Sequence, residues 1–122
     1  MAVLLVFVGG MLGAPLRYLT DRAVQSRHDS VFPWGTFTVN VVGSFVLGGI
    51  ASGVAHHGWS PDISLFAGTG ICGGLTTFST FGYETLRLLT AGARAEAALN
   101  ACGSLVAGLA SAAAGFALVS TL

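Results

Sequence analysis

Charged side chains are scarce in this chain, and their distribution is informative. They make up 8% of the 122 residues, whereas soluble domains carry about 25%. None lies within residues 1–16, 30–61, 63–83 or 97–122. Each gap can hold a membrane span of about 17–25 residues, the first once Arg17 at its edge is included. The sequence therefore excludes an ordinary soluble domain and predicts one all-α membrane domain with four transmembrane helices, over about residues 2–20, 33–55, 62–91 and 96–122.

Other absences exclude further classes of protein. The formal net charge is +0, so the chain has no basic excess to attract a nucleic acid. Cys72 and Cys102 both lie in apolar spans and are too few for a disulfide framework or a closed zinc site. No nucleophile and base fall together within a span, and the only carboxylate near the third span's interior is Glu84. We therefore expect neither an enzyme nor a nucleic-acid-binding protein.

The stretch GICGGLTTFSTFGYE, at residues 70–84, is polar and rich in glycine although it lies inside a long apolar run. The adjacent Gly73 and Gly74 weaken a helix, and hydroxyl residues interleaved with Phe78 and Phe81 follow them. In lipid, a broken helix is tolerated only where protein or a watery cavity satisfies the freed backbone groups. The pattern predicts a third helix broken in mid-membrane, at residues 73–77, with hydroxyl groups and two aromatic edges facing a ligand or a passing ion.

Two polar side chains in the first two spans each have two interpretations. Arg17, near the end of the first span, is either an interfacial arginine whose charge reaches the headgroups or a positive charge in an anion vestibule. Asn40, about two turns into the second span, either joins helices by hydrogen bonds or lines a pore as an amide donor. Both pairs of alternatives are open at the level of sequence.

Small residues at helical spacing predict helix contacts. Gly9 and Gly13 form a GxxxG pattern in the first span, which allows a second helix to approach closely. In the fourth span a small or partly polar stripe recurs at every fourth position. Such a stripe is typical of a packing seam, and lining a conduit is a compatible alternative. The stripe consists of Asn100, Ser104, Gly108 and Ala112.

Three segments together resemble the CrcB or Fluc family of fluoride channels. They are GGLTTFSTF at residues 73–81, GTFTVNVVGSF at 35–45 and GGMLGAPLRY at 9–18. The resemblance covers the whole chain and its layout of four spans. It implies a fluoride-specific ion channel in the cell membrane that lowers cytoplasmic fluoride by passive efflux. It also implies an antiparallel dimer with two pores and a structural sodium ion at its centre.

The same resemblance implies roles for individual residues. Gly73 and Thr76 would contribute backbone carbonyls to the sodium ion. The family often has a tyrosine in the fourth span, and this span has none, so the contribution of that span stays open. The side chains expected along the fluoride path are Asn40, Phe78, Phe81, Ser79, Thr80 and Ser104, with Arg17 in the vestibule.

Two other functions are compatible with a small four-span chain. A small multidrug-type proton-coupled transporter is also dimeric, but it needs a carboxylate deep in the membrane, and the first span has none. A purely structural subunit would have no use for the polar stretch at residues 70–84, which is costly in lipid. Fluoride flux and drug-dependent proton uptake would separate these alternatives.

All basic residues lie on one side of the predicted topology. Cytoplasmic loops are enriched in Lys and Arg, so both termini are predicted to lie outside. A chain with one fixed orientation needs an oppositely oriented partner. A heterodimer with a sister subunit therefore stands beside a homodimer of two oppositely inserted copies. The five basic residues are Arg17, Arg22, Arg27, Arg87 and Arg94.

Overall fold

The computed structural model describes all 122 residues, and all of its secondary structure is helical. The helices are α1 (Ala2–Gln25), α2 (Trp34–His56), α3 (residues 61–75), α4 (Ser79–Thr90) and α5 (Arg94–Ser120). Three of them, α1, α2 and α5, are long and apolar enough to cross a membrane. The 12 residues of α4 extend only about 18 Å at 1.5 Å per residue, well short of a hydrocarbon core of about 30 Å.

Helices α1 and α3 touch backbone to backbone because glycines line their contact. A methyl group added to Gly9 would lie 2.7 Å from the Cα of Gly70, and one added to Gly70 would lie 2.8 Å from the Cα of Gly9. Gly13 packs in the same way against the carbonyl of Ile71. The close approach predicted from the GxxxG pattern is confirmed, and its partner is α3.

Helices α2 and α5 form the second close pair. A methyl group on Gly48 would lie 3.0 Å from the Cα of Ala112, and one on Gly108 would touch the hydroxyl of Ser44 at 3.7 Å. Two members of the predicted fourth-span stripe, Gly108 and Ala112, therefore lie in a packing seam against α2.

The chain leaves helical geometry between α3 and α4, at residues 76–78. Thr76 is extended, with φ −82° and ψ 159°. Gly73 and Gly74, which were expected to open the break, are helical instead. Gly74 packs against α1 and does not interrupt the helix. A methyl group there would lie 3.0 Å from main-chain atoms of Gly10 and Ala14.

Two stretches of α3 and α5 have the wider hydrogen-bonding pattern of a π-helix. They are Ser64–Cys72 in α3 and Leu99–Gly103 in α5. A π-type turn shifts the face that the following residues present, and such turns are frequent at functional sites. Asn100 lies within the second of these stretches.

The end of α1, the start of α2 and the end of α4 meet at one end of the bundle. The amide of Gly35 donates to the Gln25 side chain at 3.2 Å, and the hydroxyl of Thr36 donates to the Glu84 carboxylate. α5 begins at the same end, since only residues 91–93 separate it from α4. This end carries all the basic side chains: Arg17, Arg22, Arg27, Arg87 and Arg94.

Candidate functional site

The break between α3 and α4 is held by the side chain of Asn40. Its Nδ2 donates to the carbonyl of Thr77 at 3.0 Å, and its Oδ1 accepts from the amide of Thr77 at 2.8 Å. The amide thus pairs both main-chain polar groups of a residue outside any helix. Unpaired backbone groups cost several kcal/mol each in lipid. Asn40 therefore ties α2 to the segment between α3 and α4, and one N–H of its NH2 group makes no bond within the chain.

The side chain of Thr77 caps the start of α4. Its Oγ1 accepts from the amide of Thr80 at 3.2 Å and donates to the hydroxyl of Thr80 at 3.1 Å. The hydroxyl of Ser79 lies 3.4 Å from the same oxygen. Three hydroxyl groups are thereby linked at the break, and Thr77 is buried beneath the other two. Thr77 is absent from the predicted path, although a threonine three residues ahead of another polar residue at a helix start is a typical capping signal.

The carbonyl oxygens of Gly73 and Thr76 lose their usual helical partners at the break. In a continuous helix they would accept from the amides four residues on, those of Thr77 and Thr80. Those amides instead donate to side chains, of Asn40 and Thr77 respectively. The hydroxyl of Thr76 donates back to the carbonyl of Cys72 at 2.8 Å. Two main-chain oxygens close in sequence are thus left without their α-helical donors.

No three His, Cys, Asp or Glu side chains come together anywhere in the chain in a way that could hold a metal ion. Both thiols are unpaired, with Cys72 buried and Cys102 exposed. A cation bound near the break would therefore depend on main-chain, hydroxyl or amide oxygens.

The two phenylalanines of the break contact each other. The ring centroids of Phe78 and Phe81 lie 5.7 Å apart with an interplanar angle of 47°. Phe78 is 80% exposed, while Phe81 is half-buried. Phe78 therefore lies at the surface of the single chain, beside the polar groups of the break.

Two cavities flank the break. An open groove of about 450 Å³ lies along α2 and α3, and a smaller cavity of about 200 Å³ lies between α1, α2 and α4. Thr77 lines both, so it forms part of the wall between them. Of the predicted site residues, the groove contains Asn40, Gly73, Thr76 and Phe78, and the smaller cavity contains Arg17 and Thr80.

The other predicted residues, Ser79, Phe81 and Ser104, line neither cavity. Ser104 donates to the side-chain oxygen of Asn100 at 3.2 Å, and Asn100 donates to the hydroxyl of Thr85 at 2.8 Å. Thr85 in turn donates to the carbonyl of Phe81 at 2.8 Å. Sequence reasoning missed Thr85. It lies four residues after Phe81, the spacing at which a threonine hydroxyl in a helix can donate to an earlier carbonyl.

The smaller cavity combines charges of both signs. Arg17 and Asp21, one turn apart on α1, line it together with Thr36 of α2 and Thr80 of α4. The carboxylate of Glu84 is engaged by the Thr36 hydroxyl beside it. Arg17 is half-exposed and opens onto the hydroxyl groups of the break.

Comparison with known proteins agrees with the sequence resemblance. Residues 4–116 match the family described as CrcB-like protein, Camphor Resistance (CrcB). A protein of Streptomyces avermitilis, fluoride-specific ion channel FluC 1, is 60% identical over 113 residues, or 92% of this chain and 90% of that protein. FluC 1 of Frankia casuarinae is 58% identical over 120 residues, or 94% and 93% of the two chains. A fluoride-specific ion channel FluC of Novosphingobium aromaticivorans is 44% identical over 110 residues, or 88% and 87%.

The family match and the three helices able to cross a membrane both indicate a membrane protein. The relatives are similar over nearly their whole length, so the likeness extends beyond one shared motif. The chain is a multi-pass membrane protein and belongs to the CrcB family, whose members named above are ion channels and not enzymes.

Proposed function

We propose that this protein is a fluoride-specific channel that lets fluoride leave the cytoplasm passively. The observation that carries the proposal is the cluster at the break, where linked hydroxyl groups and a pair of phenylalanines lie between and at the start of two helices, α3 and α4. Polar groups are expensive inside a membrane and are retained where they serve an ion or a substrate. The names of the close relatives supply the ion, fluoride.

The chemistry of the cluster suits a small, strongly hydrated anion. A pore must replace the water around fluoride with donors, and the edges of aromatic rings carry the positive end of the quadrupole. Phe78 and Phe81 would offer such edges, and the free N–H of Asn40 would offer a stronger donor. Conduction also requires that no single site bind too tightly, which favours a row of weak donors. The hydroxyl groups of that row would be Ser79, Thr80 and Ser104.

Arg17 would act in the vestibule of this path. It shares the smaller cavity with Thr77 and Thr80, which supports the vestibule interpretation over a purely interfacial arginine. Asp21 lines the same cavity, and its negative charge would limit how tightly the arginine holds an anion.

The carbonyls of Gly73 and Thr76 would hold the structural sodium ion. Both oxygens lack their α-helical donors, and hard cations prefer oxygen ligands. A second chain in the opposite orientation would bring two more such oxygens to the same point. The bound ion would supply positive charge that keeps four mutually repelling carbonyl dipoles together.

The functional unit would be an antiparallel dimer in which α3 and α4 jointly make the third crossing, with the break at membrane depth. One chain leaves the groove open, with Phe78 in its lining, and lipid would not satisfy the polar groups of that groove. A second chain laid over the groove would cover both. The arginines at one end of the bundle favour a fixed orientation, for which the partner would be a sister subunit. A copy inserted the other way is the alternative.

The proposal is tested by fluoride efflux from liposomes reconstituted with the purified chain. A potassium ionophore removes the opposing voltage, a fluoride electrode records release, and chloride-loaded liposomes provide the control. We expect fast release of fluoride and none of chloride. If the chain needs a sister subunit, release will appear only after its oppositely oriented relative from the same organism is added.

Absence of fluoride release under both conditions would refute the channel. Proton uptake driven by a cationic drug in the same liposomes would instead support the multidrug-type transporter. That mechanism requires a carboxylate deep in the membrane, and the first span has none.

A further inference from the structure

Asn100 is a deeply buried polar side chain that the proposed path leaves unused. It is 1% exposed and lies in the π-type turn of α5. Its Nδ2 donates to the hydroxyl of Thr85 on α4 at 2.8 Å, and its Oδ1 accepts from the hydroxyl of Ser104 at 3.2 Å. An amide buried between two helices is costly unless it is paired, and here both ends of the amide are paired.

The bonds made by Asn100 continue to the backbone of a pore phenylalanine. Thr85 donates to the carbonyl of Phe81 at 2.8 Å. Each hydroxyl or amide in the series donates to the next group: Ser104 to Asn100, Asn100 to Thr85, and Thr85 to Phe81. Hydrogen bonds aligned head to tail polarise and strengthen one another in a medium of low dielectric constant. The series therefore joins α5 to the first turn of α4.

We propose that Asn100 is a positioning residue for Phe81, acting through Thr85. This inference rests on the proposed function, since it assumes that Phe81 faces fluoride. The attraction between an anion and an aromatic ring depends on orientation, because only the ring edge is positive. Turning the first turn of α4 would present fluoride with the ring face, which is negative. A buried amide on a separate helix is well suited to prevent that rotation.

The α4 helix has few other anchors near Phe81. Its start is capped from within by Thr77, and its later part is tied to α2 by the bond between Thr36 and Glu84. Neither contact reaches the Phe81 carbonyl directly. The series from Asn100 is the interhelical connection that ends on that carbonyl.

The test compares Asn100→Leu and Thr85→Val with two matched controls. Thr90→Val removes a hydroxyl that bonds back along α4 to the Arg87 carbonyl, without contact to Asn100. Ser111→Ala removes a hydroxyl of α5 that bonds across to the Val41 carbonyl of α2. We expect Asn100→Leu and Thr85→Val each to reduce fluoride efflux about tenfold, the equivalent of one or two lost hydrogen bonds, and both controls to conduct normally. Thr85→Ser keeps the hydroxyl and should retain most of the efflux.

A second measurement reports on the ring itself and does not require conduction. The fluorine NMR signal of 4-fluorophenylalanine at position 81 should shift or broaden in Asn100→Leu and in Thr85→Val, and stay unchanged in both controls. If Asn100→Leu fails to assemble, the comparison of Thr85→Val with Thr85→Ser tests the same series. An unchanged signal and normal efflux in Thr85→Val would overturn the positioning role. Absence of fluoride efflux from the unmodified chain, with or without a partner, would instead refute the channel proposal, and the fluorine signal would still test the contact with Asn100.

Discussion

Asn40 and Thr77 are 37 residues apart in the chain, yet the side-chain amide of Asn40 pairs both main-chain polar groups of Thr77. The amide replaces the partners that a continuous helix would have provided. By taking the amide of Thr77, it also releases the carbonyl of Gly73 from its helical bond. The Asn40 side chain thus satisfies the backbone of Thr77 at the break and leaves the Gly73 carbonyl oxygen without its helical donor.

Replacing Asn40 by aspartate should block conduction and weaken the break. A carboxylate can still accept from the amide of Thr77, but it cannot donate to the Thr77 carbonyl and would repel both that oxygen and fluoride. We expect a loss of fluoride efflux of more than about tenfold and a destabilisation of about 1–3 kcal/mol from the unsatisfied carbonyl. Efflux assays and thermal unfolding in detergent measure the two effects.

The matched control for Asn40→Asp is Thr38→Val. It removes a hydroxyl of the same helix that bonds only to the Trp34 carbonyl. Normal efflux in Asn40→Asp would rule out a donor role for the amide.

The phenylalanine pair is tested by Phe78→Ile and Phe81→Ile. Isoleucine keeps an apolar side chain but has no positive ring edge, so each variant should lower fluoride efflux at least about tenfold because a coordinating group is lost. Dimer assembly, followed by size-exclusion chromatography, should be preserved. Phe7→Ile is the control, since Phe7 is exposed on α1, away from the break. Normal efflux in both test variants would favour a packing role for the rings.

Exchange of sodium for a large organic cation tests the carbonyl site. Because the proposed ligands are backbone oxygens, removal of sodium should lower efflux or the thermal stability of the dimer. Gly73→Val should be more harmful than Thr76→Ser. A methyl group built on Gly73 meets no other part of the chain within 4 Å, so one chain has room at this position. A protein equally stable and active without sodium would exclude a structural cation.

The glycine contact between α1 and α3 is tested by Gly9→Ala, with Gly10→Ala as the neighbouring control. A methyl group on Gly9 would meet the backbone of α3, whereas one on Gly10 meets nothing within 4 Å. Overpacking costs about 1–3 kcal/mol, while alanine at an open helical position is favoured over glycine by up to about 1 kcal/mol. Thermal unfolding should therefore rank the variants Gly10→Ala, wild type, Gly9→Ala in decreasing stability. Equal stability of the two variants would contradict the packing described here.

The orientation of the chain is tested by reporter fusions at the C-terminus, in cells that express this chain alone. The arginines share one end of the bundle, opposite the termini, so the positive-inside tendency predicts termini outside the cell. A signal from the outside only would require a partner of opposite orientation and would favour a sister subunit. Comparable signals from both sides, or strong efflux from the chain reconstituted alone, would favour the homodimer.

Sequence patterns alone determined the class of this protein. The gaps between charged residues predicted membrane helices, because a bilayer imposes its thickness on every span. The GGLTTFSTF segment predicted the family, and the GxxxG pattern of Gly9 and Gly13 predicted a close helix contact that the structure confirms. These features are local in the chain and need no knowledge of its neighbours.

The position of the break and the partners of the polar side chains depend on contacts between helices. The glycine pair was expected to break the helix, but Gly74 packs against α1, and the break lies at residues 76–78 instead. The bonds from Asn40 to Thr77 depend on how α2 approaches the break, and the fourth-span stripe divides between packing by Ala112 and a buried hydrogen bond from Asn100. Sequence spacing places a side chain on a face of its own helix, but its partner depends on how two helices pack, and that packing is set by the tertiary structure.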